Sequence, residues 1–181
     1  MRQAFDLIHP RTRIFNDYWQ SLPKRDFLPD RDRIDLHQLK HILSSFVILQ
    51  RESPSMIRFR LAGTDEVKRY GFEITGKNYL DFVPDERRSA ALQAFETMLR
   101  HPCGSRNLIE TVTSSGRVVL NEAIGYPIRG SDGKADQLMF QSNDIEGNLK
   151  PYQRRDVVAT HRRVLERRYI DIGAGLPAQA A

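Results

Sequence analysis

The chain has one cysteine, Cys103, in the context HPCGSR. A lone thiol cannot close a disulfide within the chain or build a cysteine cage for zinc or an iron–sulfur cluster. His37 and His41 stand four residues apart, a spacing that on a helix puts both imidazoles on one side. The neighbouring sequence has no third metal ligand, so a solvated pair is the expectation. Glu110 and Glu122 are the remaining candidates, because paired carboxylates can divide acid and base roles between them. They fall on two segments expected to be adjacent strands. A three-residue turn at 114–116 would set Val112 opposite Val118 and both glutamates on one face, whereas a two-residue turn would separate them. Cross-strand cations such as Arg106 or Arg117 make an ion-paired or solvated face the expected outcome even in the first case. The sequence has no Ser/His/Asp order, Walker motif or zinc signature, and AGTDE and GSDGK read as turns rather than phosphate cradles. It therefore predicts no catalytic residue, no metal site and no resident cofactor, and the chain is expected not to be an enzyme.

The elements that would position any site follow from periodicity. Residues 11–22 place Ile14, Tyr18 and Leu22 at helical spacing with Phe15 and Trp19 beside them, which predicts a short amphipathic helix. Helical spacing resumes in DLHQLKHILSSF through Leu36, Leu39 and Leu43. FVILQRE (46–52) and MIRFRLA (56–62) read as a hairpin turned by Pro54. Two short helical pieces follow, from Thr64 to Gly71 and within TGKNYLDFVP. ERRSAALQAFETMLR forms a longer helix that begins near Asp85 and is stopped by His101-Pro102. RNLIETVT, RVVLNEAIGYPI and ADQLMFQSN then predict three strands joined by tight turns. The order gives an α+β layout, an antiparallel sheet crossed by helices on one face. Several strands are apolar in both parities, as at Leu108 and Ile109 or Val118 and Val119, so something must cover the second face as well. The flanking helices are the available covers.

Composition bounds the rest. A chain of 181 residues with 40% hydrophobic and 28% charged residues suits one domain with terminal additions. Asp6, His9 and Pro10 interrupt the place where a signal peptide needs an apolar run, and no stretch reaches the roughly 18 apolar residues of a membrane span. A reducing cytoplasm is the expected compartment. The segment from Lys150 to Arg168 holds seven cations against Asp156 and Glu166, which accounts for the whole formal net charge of +5. Any argument for an anionic partner therefore concerns that segment alone.

The element order, together with FRLAGTDEVKRYGFEITGKNYLDFVPDERRSAALQAF, resembles the PAS domain superfamily over residues 42–147. The opening YWQSLPKRDFLPDRDRIDLHQLKHIL, the GSDG hairpin and the late YIDIGAG are similar to a bacterial group of small single-domain PAS proteins. The resemblance implies a five-stranded antiparallel sheet with helices on one face. Flanking it would be an N-terminal helical extension (1–41) and a basic C-terminal helix with a flexible tail (148–181). It also implies a space between sheet and helices that in some members holds haem, flavin or a metabolite. Phe72, Tyr79, Phe82, Phe95 and Leu99 on the helical side and Ile124 and Phe140 on the sheet are the candidate lining, with plain close packing as the alternative. Cys103 lies outside the Asn-Cys-Arg context of flavin-adduct sensors, and His101, at a helix end beside a proline, is a weak match to a haem ligand.

The C-terminal segment repeats Val157, Val158, Val164, Leu165 and Ile172 at seven-residue spacing, with Arg154, Arg155, Arg162 and Arg163 on other faces. This predicts an interaction helix able to dock or dimerise. Together these readings predict a regulatory PAS module of bacterial signalling, homodimeric, with no output domain of its own. It would bind a protein partner and an unidentified small ligand. The alternative is a nucleic-acid or anionic-surface binder working through the basic C-terminal helix.

Overall fold

The computed structural model describes residues 6–146 and 158–178. Helix α1 (Pro10–Ser21) opens with His9 as N-cap, whose Nδ1 accepts the Arg11 amide at 3.1 Å, and with a proline where the missing N–H costs nothing. It buries Thr12, Phe15, Tyr18 and Trp19. Ile14, expected on that face, is 49% exposed. Residues 35–42 do not form the predicted helix but a chain of i→i+3 turns flanked by 3₁₀ pieces at Arg31–Arg33 and Leu43–Ser45. The Asp35 carboxylate accepts the His37 amide at 2.9 Å, an N-cap contact from which the chain continues as i→i+3 turns.

Strands β1 (Phe46–Ser53) and β2 (Met56–Ala62) form the expected hairpin. Helix α2 (Thr64–Tyr70) follows, capped by Gly63 and ended by Gly71 at φ 81°. A methyl at Gly63 would lie 2.1 Å from the Leu43 carbonyl oxygen, so glycine is required there. A 3₁₀ turn at Tyr79–Phe82 leads to α3 (Asp85–Arg100), which buries Ala94, Phe95 and Met98. Strands β3 (Cys103–Thr113), β4 (Val118–Ile128) and β5 (Gln137–Glu146) then form a meander.

The C-terminal segment corrects the sequence reading. Instead of a helix, Ala159–Asp171 is a sixth strand, β6, antiparallel to β3 from the pair Cys103–Asp171 to Thr113–Ala159. Without it β3 would be the sheet's edge, with a row of unpaired backbone groups. An extended partner supplies those hydrogen bonds and an amphipathic helix cannot. The sheet order is β2-β1-β5-β4-β3-β6, antiparallel throughout.

Both faces are covered, as the apolar residues of both parities required. On the outer face α1 packs against Phe46, Ile48, Ile124, Tyr126, Met139 and Ile170. Trp19 stacks on Tyr126 with centroids 4.4 Å apart, and Phe15 meets Phe46 edge-on at 5.8 Å. On the inner face α2, α3 and the 3₁₀ turn lie over Leu49, Leu138 and Phe140. Among the described residues no helix is long and apolar enough to cross a membrane. Since Trp19 is fully buried against the sheet, Trp19→Ala is expected to destabilise the chain by about 3–5 kcal/mol in urea titrations followed by circular dichroism. A loss below about 1 kcal/mol would mean that α1 is not integral to the core.

Candidate ligand cavity

The inner face and the helices above it enclose a cavity of about 450 Å³. Small side chains keep it open. On β4 the inward positions are Ala123 and Gly125, and on α3 they are Ala90, Ala91 and Ala94. A β-carbon at Gly125 would lie 2.0 Å from the Phe140 ring, so the glycine lets that aromatic lie flat across β4. Larger side chains form the rest of the wall: Val47 and Leu49 from β1, Phe59 from β2, Leu138 from β5, Phe95 and Met98 from α3. Phe59 makes edge contacts with Tyr70, Tyr79 and Phe82 at centroid distances of 6.0, 5.9 and 6.1 Å, which fixes the β2 end of the cavity.

Polar groups enter from several elements. Glu66 of α2 is buried and ion-paired with Arg69, whose other nitrogen reaches Asp144 at 3.0 Å. Ser105 and Asn107 enter from β3, and Ser142 from β5. From β6 come Arg162, Val164 and Arg167. Arg162 and Arg167 are five positions apart, an odd separation that in a regular strand would point them to opposite faces. The register shifts between Leu108–Glu166 and Ile109–Val164, leaving Leu165 as a bulge, and the extra residue returns Arg167 to the inner face. Arg167 donates from Nε to Asn107 at 2.9 Å, and Arg162 donates from Nη1 to the Tyr70 hydroxyl at 3.2 Å. Burial raises the Tyr70 pKa, with Arg162 opposing the shift, so the phenol stays protonated.

Four of the expected lining residues, Tyr79, Phe82, Phe95 and Phe140, are on the cavity wall. The other three are not. Ile124 faces α1, because it pairs with Gln141 and Arg106 one position out of phase with Ala123 and Gly125. Phe72 is 48% exposed and leans on the far side of Phe82. Leu99 packs in the same apolar cluster beyond the wall. Arg87, Arg162 and Arg167 were missed as lining residues. Reading the last segment as a strand would have pointed to Arg162, but nothing in sequence marks the bulge.

The supposed interaction helix dissolves in the same way. Val157, Arg154 and Arg155 lie outside the described residues. Val158 precedes β6, Val164 faces the cavity, and Leu165 is exposed at the bulge. Arg162 points inward while Arg163 points outward and pairs with Glu110 at 3.0 Å, so a single basic face is not formed.

The two carboxylates singled out for chemistry are structural. Val112 does pair with Val118, and Glu110 and Glu122 share the outer face. Glu122 is fully buried, accepting the Ile8 amide at 3.0 Å, the His9 amide at 2.9 Å and Arg106 Nε at 2.8 Å. Burial alone would raise its pKa, but the two amides and the guanidinium outweigh that and hold it below the ordinary carboxylate value. His101 Nε2 lies 3.1 Å from the Gly175 carbonyl, away from the cavity wall. His37 and His41 are exposed, and no cluster of three metal-ligating side chains occurs among the described residues.

A family model for the PAS domain matches residues 7–140. No curated protein matches the chain significantly. Several solved structures are similar. A light-oxygen-voltage domain studied with a flavin analogue aligns with a TM-score of 0.46 at 14% identity, over 61% of this chain and 84% of that one. The VqmA dimer of Vibrio cholerae aligns with a TM-score of 0.46 at 16% identity, over 62% and 53%. A PAS domain from Colwellia psychrerythraea aligns with a TM-score of 0.41 at 12% identity, over 61% and 96%.

Two outcomes follow from these environments. A carboxyl whose pKa is depressed on folding adds stability above its unfolded value, about 4.3, and that stability is lost as pH falls through the folded value. Glu122→Gln is therefore expected to cost about 3 kcal/mol at pH 7 in urea titrations, with the gap to the unaltered chain narrowing below about pH 4. A gap independent of pH would show that the charge contributes nothing. Burial also pushes the Cys103 thiol up to about 12. Alkylation at pH 8 should run roughly a hundredfold or more slower in the folded chain than in urea, and equal rates would contradict a buried thiol.

Proposed function

The chain belongs to the PAS domain family, and we propose that it works as a non-catalytic regulatory module that senses a small ligand in the cavity between sheet and helices. The observation that carries this reading is the open volume itself. A core of this composition can close-pack, yet four of the positions lining the gap are alanine, which leaves about 450 Å³ in the size range of small-molecule sites. The wall is largely apolar with a few convergent polar groups, the usual make-up of a ligand pocket. The fold by itself serves many inputs, so the site decides what this chain senses.

The non-catalytic part of the reading is supported by what the candidate groups are already doing. Glu66, the carboxylate on the cavity wall, is held by Arg69, and Glu122 is committed to α1 and Arg106. Cys103 is kept protonated by burial. We further read the module as a bacterial, cytoplasmic homodimer that passes its ligand state to a protein partner. That partner reading is supported by β6, whose outer edge has no strand partner among the described residues and which carries exposed Leu165 at its bulge.

Native mass spectrometry of freshly purified chain tests both parts at once. The expected spectrum is a dimer carrying added small-molecule mass, with that mass lost in Ala94→Phe, which fills the cavity, while circular dichroism remains unchanged. A bare chain whose core shows no uptake of apolar probes would overturn the sensory reading. A monomer at micromolar concentration would overturn the dimer.

A further inference from the structure

The cavity's cationic wall narrows the class of ligand, an argument that rests on the cavity being a ligand site. Three guanidinium groups line it, from Arg87 on α3 and from Arg162 and Arg167 on β6. None has a carboxylate partner among the described residues. On the outer face of the same strand the opposite holds. Arg163 pairs with Glu110, Arg168 pairs with Glu166 at 2.6 Å, and Glu166 also receives Arg106 at 3.3 Å. The bulge at Leu165 thus sorts β6 into a neutralised outer face and an uncompensated inner one.

Arg162 is the most telling. Its Nε is buried and has no hydrogen-bond acceptor among the described residues. Arg51, Arg117 and Arg129 also have a buried Nε without an acceptor, yet Arg51 and Arg129 reach Glu96 and Asp26 through another nitrogen, and Arg117 has a partner elsewhere. Among the described residues Arg162 has the Tyr70 hydroxyl and the face of that ring as its partners, its guanidinium carbon lying 6.0 Å from the centroid. A guanidinium presents five donors in a planar fork matched to an oxyanion, and a neutral phenol satisfies little of it. Glu66, the one carboxylate on the cavity wall among the described residues, is ion-paired with Arg69, which it shares with Asp144, and it makes no ion pair with Arg162. The remaining wall is apolar, with Leu49, Phe59, Phe95 and Leu138 facing the open volume.

We propose that the cavity takes an amphipathic organic carboxylate, with its apolar body against those side chains and its carboxylate on Arg162 and Arg167 in the field of Arg87. A charge-assisted pair to Arg162, whose Nε is buried, favours the anion over a neutral molecule of the same shape, with Arg167 adding to it from the exposed rim. The bulge is then the device that makes the site, because it alone brings two arginines of odd spacing to one face.

Calorimetric titration of the full chain with octanoate, 1-octanol and octyltrimethylammonium tests this, and 4-phenylbutyrate with its alcohol repeats it for an aromatic body. The expected result is octanoate binding about tenfold or more tighter than octanol, with no binding of the cation. Arg162→Gln/Arg167→Gln should bring octanoate to the level of octanol and leave octanol unchanged. Equal affinity for acid and alcohol, or an acid preference that survives the double variant, would overturn the anion assignment while leaving the cavity as a ligand site. If no probe binds, cavity and assignment fail together. The series on the unaltered chain decides the question even if the double variant does not fold.

Discussion

The buried carboxylate of Glu122 ties three parts of the molecule together. It stands on β4, accepts the backbone amides of Ile8 and His9 at the start of α1, and accepts Arg106 of β3. Arg106 in turn reaches Glu166 of β6. A fully buried charge is tolerable only when such partners surround it, and here they come from two segments distant from β4's own residue, the start of α1 and strand β3. The amides point from the positive end of the helix, which adds a favourable field to the hydrogen bonds. One group therefore sets where α1 begins, holds β3 to β4 from the outside, and links the sheet to its last strand.

With α1 held on the outer face, the large apolar residues of the central strands have a cover on that side, and Trp19 and Phe15 complete it. The inner face can then be built differently. At its centre β4 presents Ala123, and the helix above answers with alanines, so the two layers meet there across open space instead of interdigitating. The outer layer supplies the packing, and the inner layer is free to keep a cavity.

Much of this architecture was legible. Strands β1 to β5 follow from alternating and β-branched runs between turn residues, and α3 from its apolar spacing and proline stop. The need for a cover on both faces followed from apolar residues in both parities. The cavity was half legible: the aromatics of the Tyr79–Phe82 turn, Phe95 and Phe140 lie where a layered fold places them. Ile124 went to the wrong face because strand parity is set by hydrogen-bond register, and one position of slip inverts it. The C-terminal segment misled for a similar reason. Apolar residues at seven-residue spacing fit a helix, and its β-branched content suited a strand equally well. An unpaired edge far away in sequence decided between them.

By itself, the sequence determined the class of fold, the absence of a disulfide or cysteine cage within the chain, and a concentration of cations near the end. Those follow from composition and local periodicity, which act over a few residues. Which cations turn inward was decided only in three dimensions. Arg162 and Arg167 share a face because a bulge against β3 inserts one residue into the ladder, and a bulge belongs to the pairing of two strands and to neither strand alone. The same is true of Glu122, an ordinary strand glutamate in sequence, whose role exists only where the amides of α1 and the guanidinium of Arg106 converge on it.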